Sequence, residues 1–278
     1  MGNCIFLRRG APPSSGPTPG KTLNEYSWEE ISYISSNGLA GEYGFQDGDA
    51  KEVILNGTVG SLTLDTYQTY AYIIGINHNA ELEGNNLIHF QLAKTALSGG
   101  TDICFIDGSY NSTGSSAAFR MNLTGTNDGG WEDSYMRNNI CGTDKANTSG
   151  NVLGIIPSDL LRVLKPVTKY SNNVGRSSAE SAVTATTDYF FLLAEYEVFG
   201  NITYSNTYEA NYQQQYAYYS AGNSKVKYRH NSTGSSAHWW LRSPRAGRSD
   251  FFVIVYADGT VFYVNAYISL GFAPGFCV

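Results

Sequence analysis

The sequence has few charged residues and no strongly charged segment. Asp, Glu, Lys and Arg make up 15% of the 278 residues, and the formal net charge is −6. No run of Lys and Arg is present, which argues against nucleic-acid binding because that function requires a basic surface. The chain also lacks both an apolar segment of transmembrane length and the apolar region of a signal peptide. We therefore expect neither nucleic-acid binding nor membrane insertion.

The sequence also lacks the spacings typical of metal centres and common hydrolases. It contains no C-x-x-C, H-E-x-x-H or G-x-S-x-G motif, and no E-P-N or W-N-D motif of calcium-dependent lectins. Glu81 and Glu83 lie between His78 and His89, but this spacing matches no metal motif, so structural or surface histidines are favoured. We predict no catalytic residues, no metal and no cofactor.

Cysteines are few and far apart in the sequence. They are Cys4, Cys104, Cys141 and Cys277. Because no two of them form a motif, we expect reduced and mostly buried thiols, as is usual for a protein made in the cytoplasm. Cys277 has no second thiol nearby in the sequence, which favours a buried framework residue over a reactive one.

Local patterns predict three helices. Ser27 and Glu30 have the spacing of a capping box and predict a helix that begins there. Residues 131–140 are a second candidate. Residues 158–164 are a third, with the serine as N-cap, an apolar face and a proline two positions beyond.

Turn signals predict two hairpins. Residues 51–55 and 59–64 read as strands joined by a turn at Asn56-Gly57. In the C-terminal segment, strands alternate around Asp258-Gly259, which is a strong hairpin signal. Abundant Tyr (21) and Gly (30) also fit a β-rich protein with many loops, and resemble the residue usage of antibody binding loops.

The C-terminal segment contains three blocks of distinctive sequence. They are W-W-L-R-S-P at residues 239–244, D-G-T at 258–260 and G-F-A-P-G-F-C-V at 271–278. These blocks resemble the constant framework in the variable region of proteins diversified by diversity-generating retroelements, where an error-prone reverse transcriptase rewrites template adenines. The resemblance implies that residues between the blocks vary and bind a ligand. The implied variable positions, which correspond to Asn codons in that family's templates, are Arg245, Gly247, Arg248, Asp250, Phe251, Ile254, Tyr256, Ala257, Phe262, Tyr263, Val264, Asn265, Tyr267, Ile268 and Leu270.

The residue usage of this segment is consistent with that resemblance. Randomising the two adenines of an AAC codon cannot produce Lys, Glu, Gln, Met or Trp. None of these residues occurs from Ser243 to Val278, although Lys and Glu occur throughout the rest of the chain. These five residues are also poorly suited to an aromatic β-hairpin, which is a second explanation for their absence from the segment.

Segments upstream of the tail extend the resemblance. Residues 45–57, 74–79, 130–137 and 192–200 look like a bacterial and phage domain family of otherwise unassigned function, whose members end in the same W-W-L-R-S-P block. The resemblance implies an α+β, C-type-lectin-like fold of the subgroup shared with formylglycine-generating enzymes, with a mixed or antiparallel sheet, a few helices and long loops. We therefore predict one domain over residues 21–278, with the variable region at about 239–278. A Pro/Gly-rich segment, residues 1–20, is predicted to be a flexible lead-in.

The framework residues are expected to support the variable ones. Trp239 and Trp240 precede the variable stretch and are predicted to lie in the core, and Arg242 is expected to be paired inside the fold. His238 is expected to face solvent and is left out of the site. The variable positions would then form an exposed aromatic surface with polar contacts at its margin.

Alternation on the first tail strand predicts which side chains face the ligand. Val253 and Val255 belong to the framework and should point to the core, while Ile254 and Tyr256 belong to the variable set and should point outward. Variation would then leave packing intact.

The function implied by the resemblance is binding rather than catalysis. We expect a hypervariable protein displayed on a phage particle, or alternatively on a bacterial cell surface, that binds a protein or glycan on a host cell and contacts neighbouring virion proteins. Two alternatives remain open. One is an enzyme of the formylglycine-generating type that uses Cys277, and the other is a structural phage tail component whose aromatic tail packs against a neighbouring subunit.

Overall fold

The protein has an α+β fold in which short helices and long loops surround four small sheets. A computed structural model describes residues 16–278, so most of the predicted lead-in, including Cys4, lies outside the described residues. The strands are β1 (Ala50–Val59), β2 (Leu62–Ile76), β3 (Ile88–Lys94), β4 (Ile103–Cys104), β5 (Val167–Asn172), β6 (Val183–Asp188), β7 (Phe190–Phe191), β8 (Lys227–Arg229), β9 (Ser232–Ala237), β10 (Trp239–Pro244), β11 (Phe251–Val255), β12 (Val261–Asn265) and β13 (Gly275–Cys277). The α-helices are α1 (Trp28–Ser36), α2 (Ala80–Glu83), α3 (Ser158–Val163), α4 (Glu195–Phe199) and α5 (Ala217–Ser220).

The largest sheet has five strands in the order β1-β2-β3-β13-β7. Every neighbouring pair in it is antiparallel. The strand β13, which comes last in the chain, lies between β3 and β7, so residues far apart in sequence meet at the centre of the sheet. The C-terminal framework block is consequently buried throughout.

The first predicted hairpin is present, but its predicted turn was wrong. Strand β1 continues through Asn56-Gly57, where the register shifts as in a β-bulge, and the chain reverses between β1 and β2 at residues 60–61. The Asn56 N–H donates to the Ile155 carbonyl oxygen at 2.8 Å, a contact from a distant loop that holds this part of the strand in place. Gly60, with φ +57°, occupies the reversal.

Both helices that were predicted from a capping residue are present. Helix α1 begins after Ser27 with the predicted capping box to Glu30, and α3 begins at Ser158, although Pro157 rather than the serine occupies the cap position. The predicted helix over residues 131–140 is present only in its second half, as a π-helix, Met136–Cys141, that follows a series of turns. Within residues 16–278, none of the helices has the length and apolar character needed to cross a membrane.

The tail forms its own antiparallel sheet in the order β10-β11-β12. The predicted hairpin around Asp258-Gly259 is confirmed. It joins β11 to β12, and the Gly259 N–H donates to the Tyr256 carbonyl oxygen at 2.9 Å. Gly259 has φ +89°, which L-residues rarely adopt. The hairpin therefore lies where the turn residues predict it.

The predicted core position of the two tryptophans is also confirmed. Trp239 and Trp240 are fully buried in β10. The Trp240 indole N–H donates to the Phe119 carbonyl oxygen at 2.9 Å, so its polar edge is satisfied within the core. Strand β10, which precedes the predicted variable positions, is thus fixed by packing.

We expect Trp240→Ala to lower the free energy of unfolding by about 3–5 kcal/mol, because it removes a large buried side chain and leaves a cavity. Tyr256→Ala, on the exposed side of the same sheet, should change it by only about 0.5 kcal/mol. Urea unfolding of the two variants and the wild type measures both values. Similar small losses for both variants would mean that β10 does not anchor the tail.

Candidate functional site

A network of buried charges lies beneath the tail sheet. The Arg242 guanidinium on β10 makes two hydrogen bonds to the Glu197 carboxylate on α4, Nη1 to Oε2 at 2.5 Å and Nη2 to Oε1 at 2.8 Å. Glu197 also accepts from Lys169 Nζ at 3.1 Å, and Lys169 in turn donates to Glu83 Oε2 at 2.5 Å. All four side chains are almost completely buried. The expected internal pairing of Arg242 is therefore confirmed.

Two histidines border this network. His78 Nε2 lies 3.8 Å from Glu83 Oε1, and His89 Nδ1 lies 3.1 Å from the Tyr216 hydroxyl. Burial lowers the pKa of His78 to about 3 and holds the pKa of His89 well below its ordinary value, so both rings are neutral. Of the acidic residues between them in the sequence, Glu83 joins the network, whereas Glu81 is exposed.

The same cluster contains a set of groups that could bind a metal ion. Three possible ligand atoms, one from each of His78, Glu83 and Glu197, lie within 4.8 Å of one another. However, the Lys169 ammonium contacts both carboxylates, and Arg242 contacts one of them. Two fixed positive charges therefore already neutralise the two carboxylates, which argues for a structural role over metal binding.

Two further buried carboxylates hold the loops near the tail. Glu195 accepts hydrogen bonds from the backbone N–H groups of Thr203, Tyr204 and Ser205, at 2.7–3.1 Å. Glu209 accepts from the Asn172 N–H at 2.8 Å and from the Ser243 hydroxyl at 2.7 Å. These contacts fix the loop that carries Tyr204 against the framework strand.

An aromatic surface covers the exposed side of the tail hairpin. The rings of Phe262 and Tyr263 are nearly parallel, with centroids 4.8 Å apart, and Tyr256 contacts Phe262 at 5.7 Å. Tyr204, from outside the tail, packs edge-on against Tyr263 at 4.9 Å. The Arg245 guanidinium lies 3.7 Å from the centre of the Tyr263 ring. We call these five residues the aromatic face.

Most of the predicted variable positions are accessible. Gly247, Arg248, Tyr256, Phe262 and Tyr267 are exposed. The half-buried positions are Arg245, Asp250, Phe251, Ala257, Tyr263, Val264, Asn265 and Ile268. The structure thus brings these residues together on the tail hairpin and the loops that flank it.

Two predicted contact residues are corrected by their burial. Ile254 and Leu270 are both 0% exposed, so neither can contact a ligand on this surface. Ile254 lies in the central strand of the tail sheet, opposite Trp240, and the Leu270 N–H donates to the Phe119 carbonyl oxygen. Of the predicted alternation, Val253 and Val255 are buried and Tyr256 is exposed as expected, but the outward position of Ile254 was wrong, because residues 252–255 of β11 are all buried.

For two residues at the aromatic face, His238 and Tyr204, the structure differs from what the sequence predicts. His238 is half-buried rather than facing solvent, and its Nδ1 accepts from the Ala257 N–H at 3.0 Å while its ring contacts Tyr256. Tyr204 was missed altogether. Its only signal in the sequence is the nearby segment 192–200, whose Glu195 holds the Tyr204 loop.

The cysteines within residues 16–278 are all buried and free. This confirms the expected burial for Cys104, Cys141 and Cys277. Burial raises the pKa of the Cys277 thiol far above its ordinary value, so the thiolate required of a nucleophile is disfavoured.

Comparison with models of known protein families identifies the family of this chain. Residues 117–278 match a domain of unknown function, DUF6273. The chain belongs to this family. The matched DUF6273 region contains the tail sheet, Arg242, Lys169 and Glu197, but not Glu83. No curated protein and no solved structure matches the chain.

We expect Glu209→Gln to remove part of the pH dependence of stability. Burial raises the pKa of Glu209 from 4.5 to about 7, so the folded state keeps a proton that the unfolded state releases. This group therefore lowers stability as the pH rises from about 4.5 to about 7, by on the order of 3 kcal/mol, and a neutral glutamine does not. Urea unfolding of both proteins at about pH 5 and about pH 8 measures the difference. Parallel profiles would exclude Glu209 as the source.

Proposed function

We propose that this protein is a retroelement-diversified binding protein with a C-type-lectin-like fold, whose tail hairpin recognises a molecule on a host cell surface. The observation that carries the proposal is the agreement between the burial of each tail residue and its framework or variable assignment in the resemblance. Both long framework blocks, residues 239–244 and 271–278, are buried throughout, whereas all but two of the implied variable positions are at least partly accessible. A scaffold of this kind tolerates substitution at the surface and keeps its core.

The chemistry of the aromatic face supports binding. Tyr256 and Phe262 are 41% and 42% exposed, unusual for large apolar side chains that lie next to each other. Tyr and Phe provide contact area with few rotatable bonds, so less entropy is lost on binding. The buried network holds β10 in place, and β10 is the first strand of the sheet whose outer strand, β12, carries Phe262 and Tyr263.

Cys277 gives little support to the enzymatic alternative. A thiol that is fully buried and held in its protonated form is a poor nucleophile. We therefore favour a binding protein, with a protein or glycan on a host cell as partner and display on a phage particle or a bacterial surface.

The DNA that flanks the gene tests the origin of the variation. The proposal expects a nearby reverse transcriptase gene and a second, near-identical copy of the codons for about residues 239–278. In that copy, adenines should occupy the codons of the variable positions and not those of the buried framework. Neighbouring DNA with neither feature would contradict diversification by a retroelement.

We expect replacement of Tyr256, Tyr263 and Tyr267 together by Asn to abolish target binding while the protein stays folded. Substitution of the exposed Tyr256 and Tyr267 should change stability by about 0.5 kcal/mol each, and that of the half-buried Tyr263 by about 1 kcal/mol. A few aromatic side chains, by contrast, carry most of the binding energy of an interface. Thermal unfolding measures the first expectation. The second is measured by binding to any peptide or glycan selected on the wild type, and unchanged binding would contradict the proposed function. Assembly into virions that fails in the triple variant would favour the structural tail component instead.

A further inference from the structure

One edge of the tail sheet has unused backbone hydrogen-bonding groups. In the order β10-β11-β12, strand β12 has β11 on one side, and within residues 16–278 no strand pairs with its other side. Its sequence, V-F-Y-V-N, contains no proline and no charge, the features with which proteins usually protect an exposed edge. The edge is therefore open to pairing.

The hydrogen-bond pattern identifies which groups point outward. The Ala266 N–H donates to the Asp250 carbonyl oxygen, and the Tyr256 N–H donates to the Thr260 carbonyl oxygen. Bonded pairs alternate along an antiparallel ladder, so residues 262 and 264 of β12 bond to β11. The N–H and C=O groups of Val261 and Tyr263 consequently point away from the sheet, and neither residue makes a backbone bond to another part of the described chain.

A positively charged group packs against a side chain of this edge strand. Arg245 contacts the ring of Tyr263 and lies within 6 Å of the Tyr204 and Phe251 rings. It makes no ion pair and no side-chain hydrogen bond within residues 16–278, and its Nη1 atom is buried without a partner. By contrast, Arg248 has a carboxylate, Asp250, at 3.5 Å. A guanidinium held between aromatic rings with unused donors is suited to a carboxylate.

We propose that the tail binds its target by adding an extended, acidic polypeptide segment to the outer edge of β12. The inference rests on the proposed function and specifies the partner of the same surface. The repeating N–H and C=O groups of the edge match a polypeptide backbone, and Arg245 selects an acidic side chain. Backbone bonding would supply affinity that is independent of the variable side chains, which would then supply specificity.

The test uses a display library of short random peptides, selected on the full-length protein, with a glycan array as a second arm. Selected peptides should be enriched in Asp or Glu and in β-branched residues. Methylating their backbone nitrogens one at a time should weaken binding at alternate positions, because only every second N–H of an added strand faces β12. This scan uses the wild-type protein and so does not depend on the folding of a variant.

A matched pair of variants tests the edge itself. Val261→Pro removes the outward N–H and should weaken peptide binding about tenfold or more, since a hydrogen bond is lost and the ring obstructs approach. Val261→Ala keeps the N–H and should change binding by less than about threefold. Arg245→Gln should weaken binding of acidic peptides and leave their neutral analogues unaffected.

Several results would overturn the inference. Binding to glycans with no peptide selected would do so, as would equal effects of Val261→Pro and Val261→Ala together with an N-methyl scan lacking alternation. A stable dimer in solution that Val261→Pro dissociates would assign the edge to a second copy of the chain. In each of these cases the proposed function stands if replacing Tyr256, Tyr263 and Tyr267 by Asn still abolishes binding. A failure of this inference can therefore be distinguished from a failure of the proposed function.

Discussion

The ion pair between Arg242 and Glu197 is the contact on which the arrangement of the tail depends. It joins the framework strand β10 to helix α4, and through Lys169 it reaches β5 and Glu83 on α2. Burying these charges is costly, and the cost is recovered only while every member has its partner. The network therefore favours one position of β10 over others. The hairpin after β10 therefore begins from a fixed position, whichever side chains its surface carries.

How far the fold could be predicted depends on the range of the interactions involved. The capping box at Ser27 and the turn at Asp258-Gly259 are specified by residues within a few positions, and both were predicted. The turn at Asn56-Gly57 carried an equally strong local signal. There the strand continues instead, and the Asn56 N–H donates to the carbonyl oxygen of Ile155, about one hundred positions away in the sequence. Propensity describes a strand, but tertiary contacts decide where it ends.

The candidate site was likewise predicted only in part, because tertiary contacts decide the rest. The resemblance predicted which tail positions vary, and strand alternation treated β11 as a strand with one exposed face. The fold covers both of its faces, which buries Ile254. The network of Lys169, Glu83 and Glu197 joins three separate elements, and no local pattern reveals that they meet. Tyr204 joins the aromatic face for the same reason, because a loop held by Glu195 brings it there.

Because β13 lies inside the main sheet, between β3 and β7, an intact tail is a condition for folding. Strand β7 pairs with β13 and not with β3, so a chain shortened before residue 275 lacks the strand that connects the two parts of the main sheet. A frameshift or early stop anywhere between β10 and β13 would then yield a protein that cannot complete its core. Copying errors of that kind would be removed by misfolding and proteolysis. Single substitutions on the aromatic face leave β13 and the buried framework in place, so the same architecture tolerates them.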